Sequence, residues 1–399
     1  MNERGVTEAG PEGLASRLLD AGALTPDWLA AYRAVPRELF VPDVVWTGVG
    51  AGTGRAEAVV RGEDPEAWLR AVYSDGSLTT QWDDGAHTGT LRGKVPTCSN
   101  TQPSVVFSML RALDIPPDVP PEFAALEVGT GTGWNAALLS ERLGSSHVVT
   151  VEFDGDNAAA ARLRLDAAGY QPATVVADGS EGWPARAPYD RVLVTAGVRE
   201  IPGEIVRQTR AGGIIVCPYG TPYGAEAVVR LTVHEDGSAS GPFVMDSAFM
   251  RLRQQRENWP HTREYLGGDW PADGRRSETG LSPEEVADWL PRFVLGLQLS
   301  GTAPFREPDD DGSYVLWLRD DKVTSWATVD YVPDKDTFLV YQGGPRALWG
   351  EVEAAYTWWN GQGRPGLERF GLTLTPDGVP RAWLDSPEQP VPAVGQGLS

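Results

Sequence analysis

The chain has 399 residues, 41% of them apolar and 22% charged, enough for one large or two ordinary domains around a hydrophobic core. Its 55 acidic against 34 basic residues give a net charge of −21, and no run of Lys/Arg breaks that balance, so a nucleic-acid partner is disfavoured. Two cysteines, Cys98 and Cys217, exclude a disulfide framework and a cysteine-built zinc site, and four scattered histidines lack ligand spacing, so no metal is expected.

No basic segment followed by an apolar run opens the chain, and no stretch approaches the length of a membrane span. A cytoplasmic protein without membrane contact is expected. Residues 1–10 are polar and read as loose. Pro11–Ala21 and Thr25–Val35 read as helices, the second with Thr25 as N-cap and Pro26 at the first helical position. Residues 47–64, rich in Gly, Ala and charge, read as a surface insertion. Residues 74–101 are polar and read as a long loop, a frequent seat of function.

From Pro103 strands and helices alternate. Ser104–Leu113 reads as a helix, Phe123–Val128 as a strand, Trp134–Leu143 as a helix, His147–Glu152 as a strand and Asn157–Ala168 as a helix. Strands follow at Thr174–Ala177 and Arg191–Thr195, a helix at Ile201–Thr209 and a strand at Gly213–Pro218. This spacing predicts a mostly parallel sheet covered on both faces. Ala227–His234 and Phe243–Leu252 read as a closing antiparallel hairpin. Beyond about Arg256 the texture shifts: nine of the fifteen tryptophans lie past residue 250, which predicts a further core there. Tyr314–Leu318, Ser325–Val332 and Thr337–Tyr341 alternate like strands, Arg346–Trp359 reads as a helix, and Phe370–Leu374 with Pro380–Leu384 as a hairpin. The tail from Ser386 reads as frayed. The expected division is 1–102, N-terminal helices and substrate-side loops; 103–256, cofactor-binding core; and 257–399, a C-terminal α+β domain that recognises the substrate.

The strongest constellation is Glu127-Val128-Gly129-Thr130-Gly131-Thr132-Gly133. A strand delivers the chain to three alternating glycines, and the following helix offers its N-terminal N–H groups to a ligand. Glycines alone fit a nicotinamide enzyme equally well. Three acids decide the matter. Glu127 can face a ligand ammonium, Glu152 at the end of the second strand can accept ribose hydroxyls, and Asp178, followed by Gly179, can take an adenine amine. Together they suit S-adenosylmethionine, a nucleoside with an amino-acid tail.

These residues carry a resemblance to the protein-L-isoaspartate O-methyltransferase family over roughly residues 14–256. Its further carriers are Val35-Pro36-Arg37-Glu38-Leu39-Phe40-Val41-Pro42, Thr101-Gln102-Pro103, Gly133-Trp134-Asn135-Ala136-Ala137, Asp178-Gly179-Ser180-Glu181-Gly182-Trp183-Pro184 and Tyr189-Asp190-Arg191-Val192-Leu193-Val194. The resemblance implies a Rossmann-like, seven-stranded class I methyltransferase that esterifies a peptide carboxyl group. It implies a catalytic hydroxyl directly before Gln102-Pro103, where the family carries serine and this chain carries Thr101. Ser99 is the reserve hydroxyl, Gln102 a helper and Asp75 a substrate-side acid.

The long C-terminal extension is similar to the branch that modifies ribosomally made peptides, including lanthipeptide and graspetide pathways. That implies a dedicated precursor peptide as partner and a succinimide (aspartimide) as the fate of the ester. The alternatives are a repair methyltransferase acting on isoaspartate at large and a cofactor-binding chaperone without chemistry. The oligomeric state is left open by the sequence.

Overall fold

The computed structural model describes residues 10–48, 56–266 and 274–395. Of the loose terminus expected at 1–10, residues 1–9 lie outside the described residues, as does the centre of the 47–64 insertion. Helices Pro11–Asp20 and Pro26–Ala34 stand where proline and the apolar spacing put them. Thr25 is the N-cap by position, but its side chain makes no capping bond.

The N-terminal part then builds a sheet that the sequence reading missed. Strands β1 (Val44–Thr47), β2 (Glu57–Val60), β3 (Leu78–Trp82) and β4 (Pro96–Asn100) pair antiparallel in the order β2-β1-β3-β4. The expected loop over 74–101 is therefore corrected to two strands and their connection. Leu78, Trp82 and Cys98 are the buried apolar side chains, beside buried Thr79 and Asn100. The intervening Thr, Gln and Ser give the segment its polar, loop-like composition.

The central sheet starts with parallel strands β5 (Ala125–Val128), β6 (Val148–Glu152), β7 (Ala173–Val176), β8 (Tyr189–Val194) and β9 (Thr209–Gly220). The hairpin β10 (Glu226–Val233) and β11 (Ala239–Ser247) continues it antiparallel. These seven strands run in the order β11-β10-β9-β8-β5-β6-β7, so the predicted α/β class and seven-stranded core are as the sequence reading has them. Chain order reverses between β5 and β8, and ligands of open α/β sheets bind at such a switch point, beyond the strand C-termini.

Residues after the hairpin form a second sheet and also extend the first. Strands β12 (Arg275–Thr279), β13 (Thr302–Pro308), β14 (Tyr314–Asp320), β15 (Trp326–Tyr331) and β16 (Phe338–Gly343) make an antiparallel sheet ordered β12-β16-β15-β14-β13. Helix Leu348–Gly361 packs across it. The chain then returns to the central sheet, where β17 (Phe370–Leu374) pairs with β11 and β18 (Pro380–Leu384) pairs with β17, giving nine strands. One apolar core runs from Leu126 and Val128 on β5 through Phe293 to Val329, Trp349 and Phe370. The core on the opposite face of the central sheet joins helices Pro11–Asp20, Pro26–Ala34, Pro103–Ala112 and Trp134–Leu143, through Leu14, Trp28, Phe107 and Trp134. The tail does not fray at Ser386: Val391 N–H donates to Ala382 O and Val394 N–H to Gln298 O, so it is tied down as far as Val394.

Candidate active site

A cavity of about 1300 Å³ opens at the C-terminal edge of the central sheet. A pocket for one small ligand usually spans about 300–1,000 Å³, so this one has space for two. Its floor is the glycine loop. Gly129, Gly131 and Gly133 have φ of +99°, +53° and +94°, a region that L side chains rarely occupy. A Cβ at Gly129 would also stand 2.6 Å from Thr195 Oγ1. The loop is pinned from both sides: Thr195 Oγ1 donates to Gly129 O at 2.6 Å, and Gly131 N–H donates to Glu152 Oε2 at 2.8 Å.

Glu127, Gly129, Thr130, Gly131, Thr132, Glu152 and Gly179 all line the cavity. Glu127 is completely buried. Its Oε2 accepts from Thr150 Oγ1 at 2.6 Å, while its Oε1 has no partner. Burial, aided by the nearby Glu152, pushes its carboxyl up to about 8, against the opposing Thr150 bond. An ammonium ion would satisfy that oxygen and reverse the shift. Glu152 closes β6 and already takes Gly131 N–H and Asp154 N–H, one on each oxygen, which fixes its orientation toward the cavity. Asp178 departs from the set: its Oδ1 caps the following turn, receiving Ser180 N–H and Oγ, and Gly179 rather than Asp178 lines the cavity. Gly133 serves as the left-handed N-cap of helix Trp134–Leu143.

The opposite wall is the end of β4 and the turn into helix Pro103–Ala112. Ser99, Thr101, Gln102 and Asp75 all line it. Asp75 accepts Ser104 N–H at 2.8 Å and Gln102 Nε2 at 3.3 Å, so it caps the helix that follows Thr101 and holds Gln102. Cys98 also lines the cavity, but burial raises its thiol to about 11, so it is no nucleophile.

Two residues not expected at the site from the sequence organise this wall, Arg37 and Asn100. Arg37 is 1% exposed. It donates to Asn100 Oδ1 (2.6 Å) and to the carbonyls of Val72, Ser74, Gly76, Asn100 and Thr101. Burial lowers its pKa to about 9, with Asp75 opposing, so it stays charged at neutral pH. Asn100 Nδ2 in turn donates to Thr132 Oγ1 at 2.8 Å, which couples the hydroxyl-bearing turn to the glycine loop. The available signal was an arginine inside the apolar run Val35–Pro42.

A strap over residues 251–256 roofs the cavity. Arg253 bridges Asp154 (3.1 Å) and Asp84 (3.0 Å), and Arg256 joins Asp84 at 2.8 Å. Among the described residues, no group of three or more His, Cys, Asp or Glu could hold a metal ion, and no helix is long and apolar enough to cross a membrane.

The profile of the family described as protein-L-isoaspartate(D-aspartate) O-methyltransferase matches residues 66–257. Protein-L-isoaspartate O-methyltransferase of Xanthobacter autotrophicus is 41% identical over 143 residues, 35% of this chain and 63% of its own length. Its counterpart in Rhodospirillum rubrum is 36% identical over 170 residues, 41% of this chain and 74% of its own length. The first three curated relatives are matched over 63%, 54% and 60% of their own lengths. A solved structure titled protein-L-isoaspartate O-methyltransferase shares the fold over 94% of this chain and 100% of its own, with a TM-score of 0.50 and 20% identity. On the extent of the match to the Rhodospirillum rubrum protein, the chain belongs to the protein-L-isoaspartate O-methyltransferase family.

Proposed function

We propose that the chain is an S-adenosylmethionine-dependent O-methyltransferase that esterifies aspartyl-type carboxylates of proteins or peptides, L-isoaspartyl residues foremost. The observation that carries this reading is the unpartnered, fully buried Oε1 of Glu127 beside the glycine loop, which fits the ammonium of the cofactor's amino-acid tail. Glu152 fits the ribose hydroxyls, and Gly179 borders the adenine, on a turn that Asp178 holds through Ser180. Bound there, the cofactor supplies a methyl group on a positively charged sulfonium.

The chain's own residues then have only to position the acceptor. An aspartyl-type carboxylate is ionised at neutral pH, so no general base is needed. The Thr101 hydroxyl donates to the oxygen that does not attack and leaves the other in line with the methyl. Arg37 holds the Thr101 carbonyl, and with it the turn, in place. Ser99 and Gln102 border the same space. Positioning of this kind contributes on the order of 7–11 kcal/mol.

The isoaspartyl reading has more support than the dedicated-precursor one. Every curated relative named above is an isoaspartate enzyme. The C-terminal extension does not favour a ribosomal peptide, because a structure titled for the isoaspartate activity matches the fold over 94% of the chain. The succinimide remains the expected fate of the ester in either reading, since ring closure is intramolecular.

The test is methyl transfer from labelled S-adenosylmethionine to an isoaspartyl peptide. Thr101→Val is expected to lower kcat at least tenfold with unchanged affinity for S-adenosylhomocysteine, and Thr101→Ser to keep activity. A wild-type chain that binds the cofactor but methylates no peptide would return the reading to a chaperone. If Thr101→Val is active and Ser99→Ala is not, the hydroxyl role belongs to Ser99.

A further inference from the structure

We propose that Trp289, contributed by the C-terminal part of the chain, is a specificity-determining residue that receives an apolar side chain of the substrate peptide two to four residues from the methylated position; this rests on the methyltransferase reading above.

The cavity follows the C-terminal edge of the central sheet. Glu152 lies on β6, Glu127 on β5, Thr195 just after β8, and the turn Thr221–Gly224 joins β9 to β10. All of them line the one cavity, and Trp289 lines it too. Neighbouring strands lie about 4.8 Å apart, so the β9–β10 turn stands roughly 10–15 Å from β5, on the side away from β6 and β7. The nucleotide end is at β6–β7. The far end is therefore left to the peptide, and an extended peptide covers that distance in about three or four residues.

Trp289 and Pro222 give the far end a rigid apolar patch beside Thr221 and Gly224. Trp289 is only half-buried, and its ring stacks on Phe293 at 5.4 Å with an interplanar angle of 4°. Phe293 is buried against Phe243 and Phe370. The indole is thus held before any ligand arrives, and little side-chain freedom is left to lose on binding. Its helix, Trp289–Gly296, also fixes the facing turn: Arg292 donates to Tyr223 O, and Gly296 sits where a Cβ would stand 2.3 Å from Thr221 Oγ1.

The experiment uses the full chain saturated with S-adenosylhomocysteine and two isoaspartyl heptapeptides, identical except for Phe or Gly three residues from the acceptor, each made with the variable residue on either side. Calorimetry reads affinity. The Phe peptide in one of the two orientations is expected to bind at least tenfold more tightly than its Gly counterpart. Trp289→Ala should abolish that ratio, Trp289→Phe should keep most of it, and both variants should bind S-adenosylhomocysteine as the wild type does. A wild type that does not distinguish the peptides, or a Trp289→Ala variant that still does, overturns the proposal. So does a loss on Trp289→Ala that falls equally on the Gly peptide, which would mark a structural role. Methyl transfer to the Gly peptide judges the proposed function separately, because the affinity ratio does not depend on turnover.

Discussion

At the scale of single residues, Glu127 sets a pH dependence whose sign follows from its position. Thr150, Thr130 and Glu152 surround it, and none carries a positive charge. With the carboxyl pushed up to about 8, the ligand-free site holds a proton at pH 7 that an incoming ammonium must displace. Affinity for S-adenosylhomocysteine is therefore expected to rise between pH 6 and 8 and to level above that. Calorimetry in buffers of different ionisation enthalpy should detect proton release. Glu127→Gln should flatten the profile, and a flat profile in the wild type would contradict the assignment. The unfolded chain releases this proton near the ordinary value of 4.5, so the ligand-free protein loses stability as pH rises from there to about 8. Arg37 makes the opposite kind of demand: its charge is satisfied by acceptors on two separate segments, 72–76 and 100–101. Arg37→Met leaves those carbonyls without a donor and should cost about 3–5 kcal/mol in denaturant unfolding. Arg37→Lys, whose single ammonium cannot serve all the acceptors of both segments, should recover only part of that.

At the scale of elements, the charged side chains of Arg253 and Arg256 tie the strap over 251–256 to the turn at Asp83–Asp84. The pairs of Arg253 and Arg256 with Asp84 are partly exposed, so each is worth little alone and both are screened by salt. Asp84→Asn removes both at once and is expected to speed release of S-adenosylhomocysteine about fivefold at low salt, a loss of about 1 kcal/mol. Stopped-flow release at low and high ionic strength checks this, and the difference between variant and wild type should shrink at high salt. The same elements mark how far sequence reading reaches. The glycine loop and the helix Trp134–Leu143 were legible because local backbone demands write themselves into glycine spacing and apolar period. β3 and β4 were not, because they carry Thr, Gln and Ser where a strand usually shows its β-branched apolar residues, and all of β4 together with Thr79 of β3 faces the cavity rather than a core. Asp178 was read from its position at a strand end, yet a short turn captured its carboxylate locally. Arg37 and Asn100 escaped because their partners are distant in sequence, up to 64 residues away for Thr101.

At the scale of the whole molecule, the return of the chain to the central sheet decides how it unfolds. Strands β17 and β18 cover what would be an open edge at β11, and their side chains Phe370, Leu372 and Leu374 are buried in the core that also contains Leu126 and Val128 of the cofactor-binding strands. Trp349, from the helix on the second sheet, belongs to the same core. A chain cut near Arg256 would expose this surface and an unpaired strand edge, so it is expected to aggregate rather than to survive as a cofactor-binding fragment. The full chain should instead melt in one transition, which S-adenosylhomocysteine moves upward as a whole. Phe370→Ala, far along the chain from the glycine loop, is expected to lower the stability of that single transition by about 3–5 kcal/mol. Calorimetric melting with and without ligand decides the matter. Two transitions, with only the upper one moved by S-adenosylhomocysteine and only the lower one moved by Phe370→Ala, would mean that the second sheet and the returning hairpin unfold independently of the site.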